Sequence, residues 1–142
     1  IIMAENSIKW LKGLLWYVAV YHILLGLLAI FAKSSAVSLA NWFFNFNLTI
    51  TPEVYWILNP FAAYLLIFGV FMAVAATDPV KYRNIILVGV VLIVIRALQR
   101  IVFVFESPEG LMSNVNPMRN ILAIAIIVVI GLAMYLLSRK AK

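Results

Sequence analysis

Four long apolar stretches restrict how this chain can fold more than any other feature of its sequence. They run from about Trp10 to Phe31, from about Pro52 to Ala76, from about Pro79 to Phe105 and from about Pro117 to Ser138. Each reaches the roughly 20 apolar residues that an α-helix needs to cross a bilayer. The pattern predicts an all-α, polytopic membrane protein whose four transmembrane helices form one bundle and a single domain over residues 1–142.

The composition indicates that lipid is the solvent for much of the chain. Of the 142 residues, 66% are hydrophobic and 11% are charged, and the mean hydropathy is +1.10. A soluble domain is about 45–50% apolar and about 25% charged. The net charge of +6 comes mostly from cations beside the apolar stretches, as membrane topology requires, so no nucleic-acid partner is expected.

The distribution of those cations predicts how the bundle is oriented. Most of them flank the spans on one side: Lys9, Lys12, Lys81, Arg83, Arg139, Lys140 and Lys142. By the positive-inside rule, both termini and the turn at residues 77–83 lie on the cytoplasmic side. We therefore expect an integral protein of a prokaryotic inner (cytoplasmic) membrane with both ends inside.

Three dipeptides predict where the later spans begin: Thr51-Pro52, Asp78-Pro79 and Asn116-Pro117. The side-chain oxygen of an N-cap residue accepts an unpaired amide, and proline at the first helical position has no amide to leave unpaired. Asn59-Pro60 repeats this form inside the second span. It indicates either a kink in that helix or its true beginning after an interfacial turn.

The first external connection, roughly residues 32–51, is too long for a simple turn. Its segment SSAVSLANWFFNF, residues 34–46, places apolar side chains at helical spacing. We expect a short helix on the outer leaflet, anchored at the headgroup level by Trp42, Phe43 and Phe46. The segment is either a plain interfacial anchor or a lid over a cavity between the helices.

Two arginines interrupt the third span, in the stretch VLIVIRALQRIVFVF at residues 91–105. Arg96 lies about 18 Å from the start of the span near Asn84, beyond the middle of a hydrocarbon core about 30 Å thick. Arg100 is one turn further out on the same face and can extend to the headgroups. Arg96 is too deep to do so, and we expect it to turn inward toward a partner.

The spans contain no acidic residue at the depth of Arg96, so we expect its partners to be polar and neutral. Similar depth defines a predicted polar layer of His22, Tyr21, Tyr64, Arg96, Gln99 and Arg100. Three interpretations are open. The arginines are satisfied within the chain and by lipid, they bind an acidic group of a neighbouring subunit or an anionic lipid, or the layer binds a small amphipathic ligand such as a quinone.

Several kinds of chemistry lack the residues that they need. The chain has no cysteine and a single histidine, His22, which excludes a bis-histidine haem and a cysteine or histidine zinc site. No carboxylate lies in the interior of a span to serve a proton-coupled exporter, and no nucleophile–base pair or phosphate loop is present. We expect no catalytic residue, no metal and no cofactor beyond a bound lipid or quinone.

The order of these features resembles the DoxX-like superfamily of small four-helix membrane proteins. The stretches concerned are YHILLGLLAIF, NPFAAYLLIFGVFMAVAATDPVKYRN and IRALQRIVF, in which Gly69, Asp78-Pro79 and Arg96 or Arg100 match the family pattern. The resemblance implies a four-helix bundle and, in some members, partnership with redox enzymes of the membrane, including quinone-linked ones. This chain departs from the pattern in its aromatic-rich segment at residues 39–46.

Two functions from different classes follow as expectations. The first is a non-catalytic accessory or structural subunit of a larger bioenergetic or redox membrane complex, with integral membrane subunits as its partners. The second is a self-contained quinone- or lipid-binding protein with its site around Arg96. A small transporter is a third possibility, which the lack of an inverted repeat disfavours.

Overall fold

The computed structural model describes residues 2–45, 47–106 and 116–140, which fold into α-helices joined by short connections. The helices are α1 (Ile2–Phe31), α2 (Lys33–Phe44), α3 (Pro52–Thr77), α4 (Arg83–Glu106) and α5 (Pro117–Lys140). All except α2 are long and apolar enough to cross a membrane. The predicted all-α class with four helices of membrane length is therefore confirmed.

Two of the three expected N-caps begin helices as predicted. The Thr51 hydroxyl accepts a hydrogen bond from the Val54 amide at 3.4 Å at the start of α3. Asn116 Oδ1 accepts from the amides of Met118 at 3.0 Å and Arg119 at 3.3 Å at the start of α5. These side chains satisfy amides that the first helical turn leaves unpaired.

The third dipeptide, Asp78-Pro79, does not begin a helix, and that prediction is wrong. Asp78 ends α3, and its carboxylate accepts from the Lys81 amide at 3.1 Å while its carbonyl accepts from the Tyr82 amide at 3.0 Å. Residues 79–82 form a turn, and α4 begins only at Arg83. The bond from a side chain to an amide three residues later is common to helix caps and isolated turns.

Two further boundaries differ from the expected ones. The first helix begins at Ile2 rather than near Trp10, because the polar residues before the apolar stretch continue the helix, with Glu5 and Lys9 paired at 2.9 Å. Pro60 lies inside α3, which runs on from Pro52, so the alternative that the helix begins at Pro60 is wrong.

The closest helix packing is between α1 and α3, where glycines bring the backbones together. A Cβ atom on Gly26 would lie 2.8 Å from the Leu66 nitrogen, and one on Gly69 would lie 2.9 Å from the Ala19 carbonyl oxygen. Small residues allow this approach between membrane helices. Gly13 of α1 takes no part in this approach, since nothing lies within 4 Å of its Cβ position.

The four long helices form a ring in the order α1, α3, α4 and α5. Helix α1 packs on α3 and α5, and α4 packs on α5 more extensively than on α3. Buried side chains from the four helices share one apolar core that includes Leu15, Met72, Ile86 and Met134. The contact between α3 and α4 is therefore the loosest side of the ring, although a short turn joins these two helices.

Helix α2 lies where α1 ends and α5 begins, at what we call the α2 end of the bundle. The Asn116 amide donates to the Phe44 carbonyl at 3.0 Å, and the Arg119 guanidinium donates to the carbonyls of Trp42 and Phe43. A cation at the carboxyl end of a helix also complements its dipole. Contacts from α5 therefore hold the last turn of α2.

Candidate functional site

A hydrogen bond between His22 of α1 and Arg96 of α4 forms the centre of the candidate site. His22 is 8% exposed. Its Nδ1 atom lies 2.7 Å from the Val18 carbonyl oxygen, and its Nε2 atom lies 3.3 Å from Arg96 Nη1. Because a carbonyl only accepts and a guanidinium only donates, Nδ1 carries the proton and Nε2 is the acceptor. The imidazole is therefore neutral and joins two helices across the bundle.

Aromatic rings surround this pair on the α1 and α3 sides. The ring centroids of Phe68 and Tyr21 lie 4.7 Å and 5.1 Å from that of His22, both approximately edge-on. Tyr64 stacks on Phe68 at 6.1 Å between centroids. Such an apolar wall strengthens a hydrogen bond by excluding water and lowering the local dielectric.

The two tyrosines of the predicted layer lie at its edge rather than at its centre. Tyr21 is 47% exposed and Tyr64 is 38% exposed. Neither hydroxyl forms a hydrogen bond with a described residue, so both are available to a molecule outside the bundle.

Arg100 contacts residues of α5 and α2 that lie outside the predicted polar layer. Its Nη1 atom donates to Asn120 Oδ1 of α5 at 3.0 Å, and its guanidinium carbon lies 4.7 Å from the centroid of the Phe44 ring. Asn120 is buried. Depth alone could have indicated it, because α5 begins at the α2 end and Asn120 lies one turn inside it, at the level where α4 nears its end.

Gln99 is the residue that the structure does not bring into the layer. Its side chain is exposed and forms no hydrogen bond with a described residue. A rotation of about 100° per residue separates it from Arg100 and directs it away from the bundle. Of the expected anchor residues, Trp42 is exposed and Phe43 is partly buried. Phe46 lies outside the described residues.

The described partners of the two arginines carry no charge. Arg96 meets an imidazole, and Arg100 meets an amide oxygen and an aromatic ring. The ion pair found among the described residues joins Glu5 and Lys9, far from this layer. The layer therefore carries two formal positive charges, one helical turn apart, without a described counter-charge.

An apolar cleft between α3 and α4 leads to this layer. It has a volume of about 310 Å³ and is lined by Phe68 and Phe71 of α3 and by Val88 and Leu92 of α4, among others. Phe68 contacts the His22 ring, and Leu92 lies one turn before Arg96. Phe68 and Leu92 therefore lie between one end of the cleft and the guanidinium–imidazole pair.

The donor set of the layer does not suit a metal ion. Within the described ranges, no three histidine, aspartate or glutamate side chains lie together in a way that could hold one. Guanidinium groups only donate hydrogen bonds, and a single neutral imidazole completes the set. The layer can donate several hydrogen bonds to an acceptor-rich group, and we find no pair of side chains in it that could act as nucleophile and base.

Comparison of the chain with protein-family models, with curated proteins and with solved structures gave no match. The resemblance to the DoxX-like superfamily therefore stays a prediction. What the protein does has to be inferred from the polar layer and the cleft.

Proposed function

We propose that this chain is an integral membrane protein, not itself an enzyme, that binds one amphipathic molecule, a quinone or a lipid, at the layer around Arg96. The observation that carries the proposal is a polar pair, His22 and Arg96, next to one end of an apolar cleft, with Phe68 contacting His22 and lining the cleft. The polar head of such a molecule would lie at the layer, and its hydrocarbon tail would occupy the cleft.

The chemistry of the layer fits an oxygen-bearing head group. His22 is the hydrogen-bond partner of Arg96 among the described residues, and it occupies one of the five N–H groups of the guanidinium. The others can donate to a quinone carbonyl or to a lipid phosphate. A cleft of about 310 Å³ lies within the range of ligand sites, which are largely apolar with a few convergent polar groups.

The accessory-subunit hypothesis loses one of its reasons. It depended partly on two arginines without a partner in their own chain, whereas Arg96 bonds to His22 and Arg100 bonds to Asn120. The exposed apolar faces of α4 and α5 suit lipid and a neighbouring subunit equally. Larger membrane subunits therefore remain an expectation, and the ligand site is the function that the geometry favours.

The orientation of the proposed protein follows from its cations. With Lys81, Arg83, Arg139 and Lys140 at the end opposite α2, that end would face the cytoplasm of a prokaryotic cell, as the positive-inside rule requires. The α2 end would then lie at the outer leaflet. There α2 presents an exposed Trp42, as an interfacial helix does.

The test is extraction in a mild detergent followed by native mass spectrometry of the protein. We expect one quinone or lipid per chain, which is lost from an Arg96→Leu variant that keeps its helical circular dichroism. Arg139→Leu is the matched control, because it removes an exposed cation at the other end of the bundle. If the bound molecule persists unchanged in Arg96→Leu, the proposal is wrong. Co-migration with larger subunits in fixed ratio would restore the accessory-subunit hypothesis.

A further inference from the structure

We infer that the site selects an anionic head group, so that its ligand is an acidic lipid rather than a neutral quinone. The inference rests on the proposed function and deepens it, because it names the charge of the molecule at the same layer. It depends on the charges of Arg96 and Arg100, on the groups that contact them and on the hydrogen-bond donors that they leave over.

Two like charges lie close together in a place where charge is costly. Arg96 and Arg100 face the same side of α4 and are close enough to interact electrostatically. Neither the His22 imidazole nor the Asn120 amide cancels a charge. Repulsion between like charges grows as the dielectric falls, and intramembrane charges are usually paired. A bound anion would neutralise one charge and remove the repulsion between them.

The arginines also keep the donors that an anion needs. The Phe44 ring covers a face of Arg100, whereas hydrogen bonds leave a guanidinium along its edges. Apart from the bonds to His22 and Asn120, the remaining N–H groups of both arginines make no hydrogen bond to a described residue. A guanidinium fork binds the paired oxygens of a phosphate or carboxylate through two parallel hydrogen bonds.

A neutral quinone would use these donors less completely. Its carbonyl oxygen accepts hydrogen bonds but brings no negative charge, so both guanidinium charges would remain. An acidic lipid supplies the charge and the paired oxygens, and its acyl chain suits the apolar walls that Phe71 and Val88 contribute to the cleft. Free phosphate has no acyl chain to occupy the cleft, so we expect it to bind more weakly than an acidic lipid.

The experiment titrates delipidated protein in a neutral detergent and follows the binding of single molecules by native mass spectrometry. The probes are phosphatidylglycerol, phosphatidylcholine with the same acyl chains, a short-chain ubiquinone and glycerol phosphate. We expect phosphatidylglycerol to bind about tenfold more tightly than any other probe, since charge-assisted hydrogen bonds are about twice as strong as neutral ones. Added salt should weaken this preference.

Three variants test whether the preference for phosphatidylglycerol arises from Arg96 and Arg100. A double change, Arg96→Gln with Arg100→Gln, should weaken the binding of both phospholipids and remove the roughly tenfold preference for phosphatidylglycerol over phosphatidylcholine. Lys81→Gln with Arg83→Gln removes the same charge at the opposite end and should change neither affinity. Should the first variant not fold, Arg100→Lys keeps the charge but loses the fork, and should reduce the preference by a smaller factor.

The outcomes distinguish this inference from the proposed function. Equal affinity for both phospholipids, with binding of both lost in Arg96→Leu, would overturn the anionic head group and leave the proposed site. Binding of glycerol phosphate as tightly as phosphatidylglycerol would overturn the lipid. If no probe binds one to one, both proposals are wrong.

The chain has carboxylates whose side-chain positions the structure does not describe, at Glu106 and Glu109. A double change of both to Gln tests whether either one already neutralises the arginines. If the site is open to a lipid, this variant keeps the affinity of the unchanged protein. A gain of about tenfold in phosphatidylglycerol binding would show that an internal carboxylate occupies the place of the anion and would overturn the inference.

Discussion

The two contacts that α3 makes within the ring differ in kind. Against α1 it packs backbone to backbone, and Gly26 and Gly69 leave no space for a side chain. Against α4 it leaves a cleft of about 310 Å³ lined by flexible apolar side chains such as Met72. The first contact holds His22 in place, and the second offers room next to it. Side chains on rigidly packed helices are held more precisely than side chains on loops, so the contact with α1 supports the proposed site.

The largest effect is expected where the backbones touch. Gly69→Ala places a methyl group 2.9 Å from the Ala19 carbonyl oxygen and the Ile23 nitrogen, and neither backbone atom can move without shifting α1. We expect a loss of about 3 kcal/mol in the free energy of unfolding, as for overpacked cores. Titration of the purified protein with a denaturing detergent measures it.

Gly13→Ala is the control for that change, since the same methyl group meets open space there. Alanine is the better helix former, so Gly13→Ala should leave stability unchanged or raise it by up to about 1 kcal/mol. Equal losses for Gly13→Ala and Gly69→Ala would mean that the close contact between α1 and α3 does not hold the bundle together.

The next largest effect is expected when the hydrogen bond between His22 and Arg96 is removed. His22→Leu removes the hydrogen-bond partner of Arg96 and leaves a partly buried guanidinium without it. We expect a loss of about 2 kcal/mol in the free energy of unfolding, within the range for a hydrogen bond to a charged group. In a double-mutant cycle with Arg96→Leu, the two losses should add to more than the loss in the double variant, because they remove the same bond.

Gln99→Leu is the matched control on α4, because Gln99 is exposed and makes no hydrogen bond to a described residue. It should change stability by less than about 0.5 kcal/mol. Additive losses in the cycle between His22 and Arg96 would show that these side chains do not act together.

A larger side chain in the cleft between α3 and α4 tests whether the tail of the ligand lies there. Val88 and Val91 lie on α4 and are 59% and 56% exposed, and of the two Val88 lines the cleft. Val88→Trp should reduce occupancy by the proposed lipid about tenfold, because the ring would take the volume that the tail needs, whereas Val91→Trp should not. Both variants should keep the stability of the unchanged protein. The same occupancy in both would place the tail outside the cleft.

Much of this fold could be predicted from the sequence because hydropathy and charge act over whole segments. The four membrane-length helices could be predicted from the length of the apolar stretches, and the fifth, shorter helix from the spacing of its apolar residues. The start of α4 could not be predicted, because Asp78 makes the same hydrogen bond to an amide in a turn as in a helix cap. That choice depends on the packing of the next helix, which no local pattern contains.

The candidate site was predictable in depth but not in rotation. Counting residues along the spans placed His22 and Arg96 at one level, and the structure has them in contact. The same counting placed Gln99 there, although α4 turns it outward. The depth of Asn120 was predictable in the same way, but its contact with Arg100 was not, because that contact depends on how α5 docks on α4. Which face of a helix meets its neighbour is decided by packing between helices, as at Gly26 and Gly69.

The smallest effect is expected at Gly89, beside the cleft between α3 and α4. Comparing it with Gly69 is the sharpest test of whether the contacts of α3 with α4 and with α1 differ. A Cβ atom on Gly89 would lie 2.7 Å from Cε of Met72, closer than the 2.9 Å between a Cβ atom on Gly69 and the backbone of α1. Here the neighbour is the end of a flexible side chain beside empty volume, so it can move into the cleft. Gly89→Ala should therefore cost less than about 1 kcal/mol in the free energy of unfolding, the gain in helix propensity offsetting the displaced methyl group. The same detergent titration should place it near Gly13→Ala. A loss as large as that of Gly69→Ala would mean that α3 and α4 are as tightly packed as α3 and α1, and that no adaptable cleft lies beside Arg96.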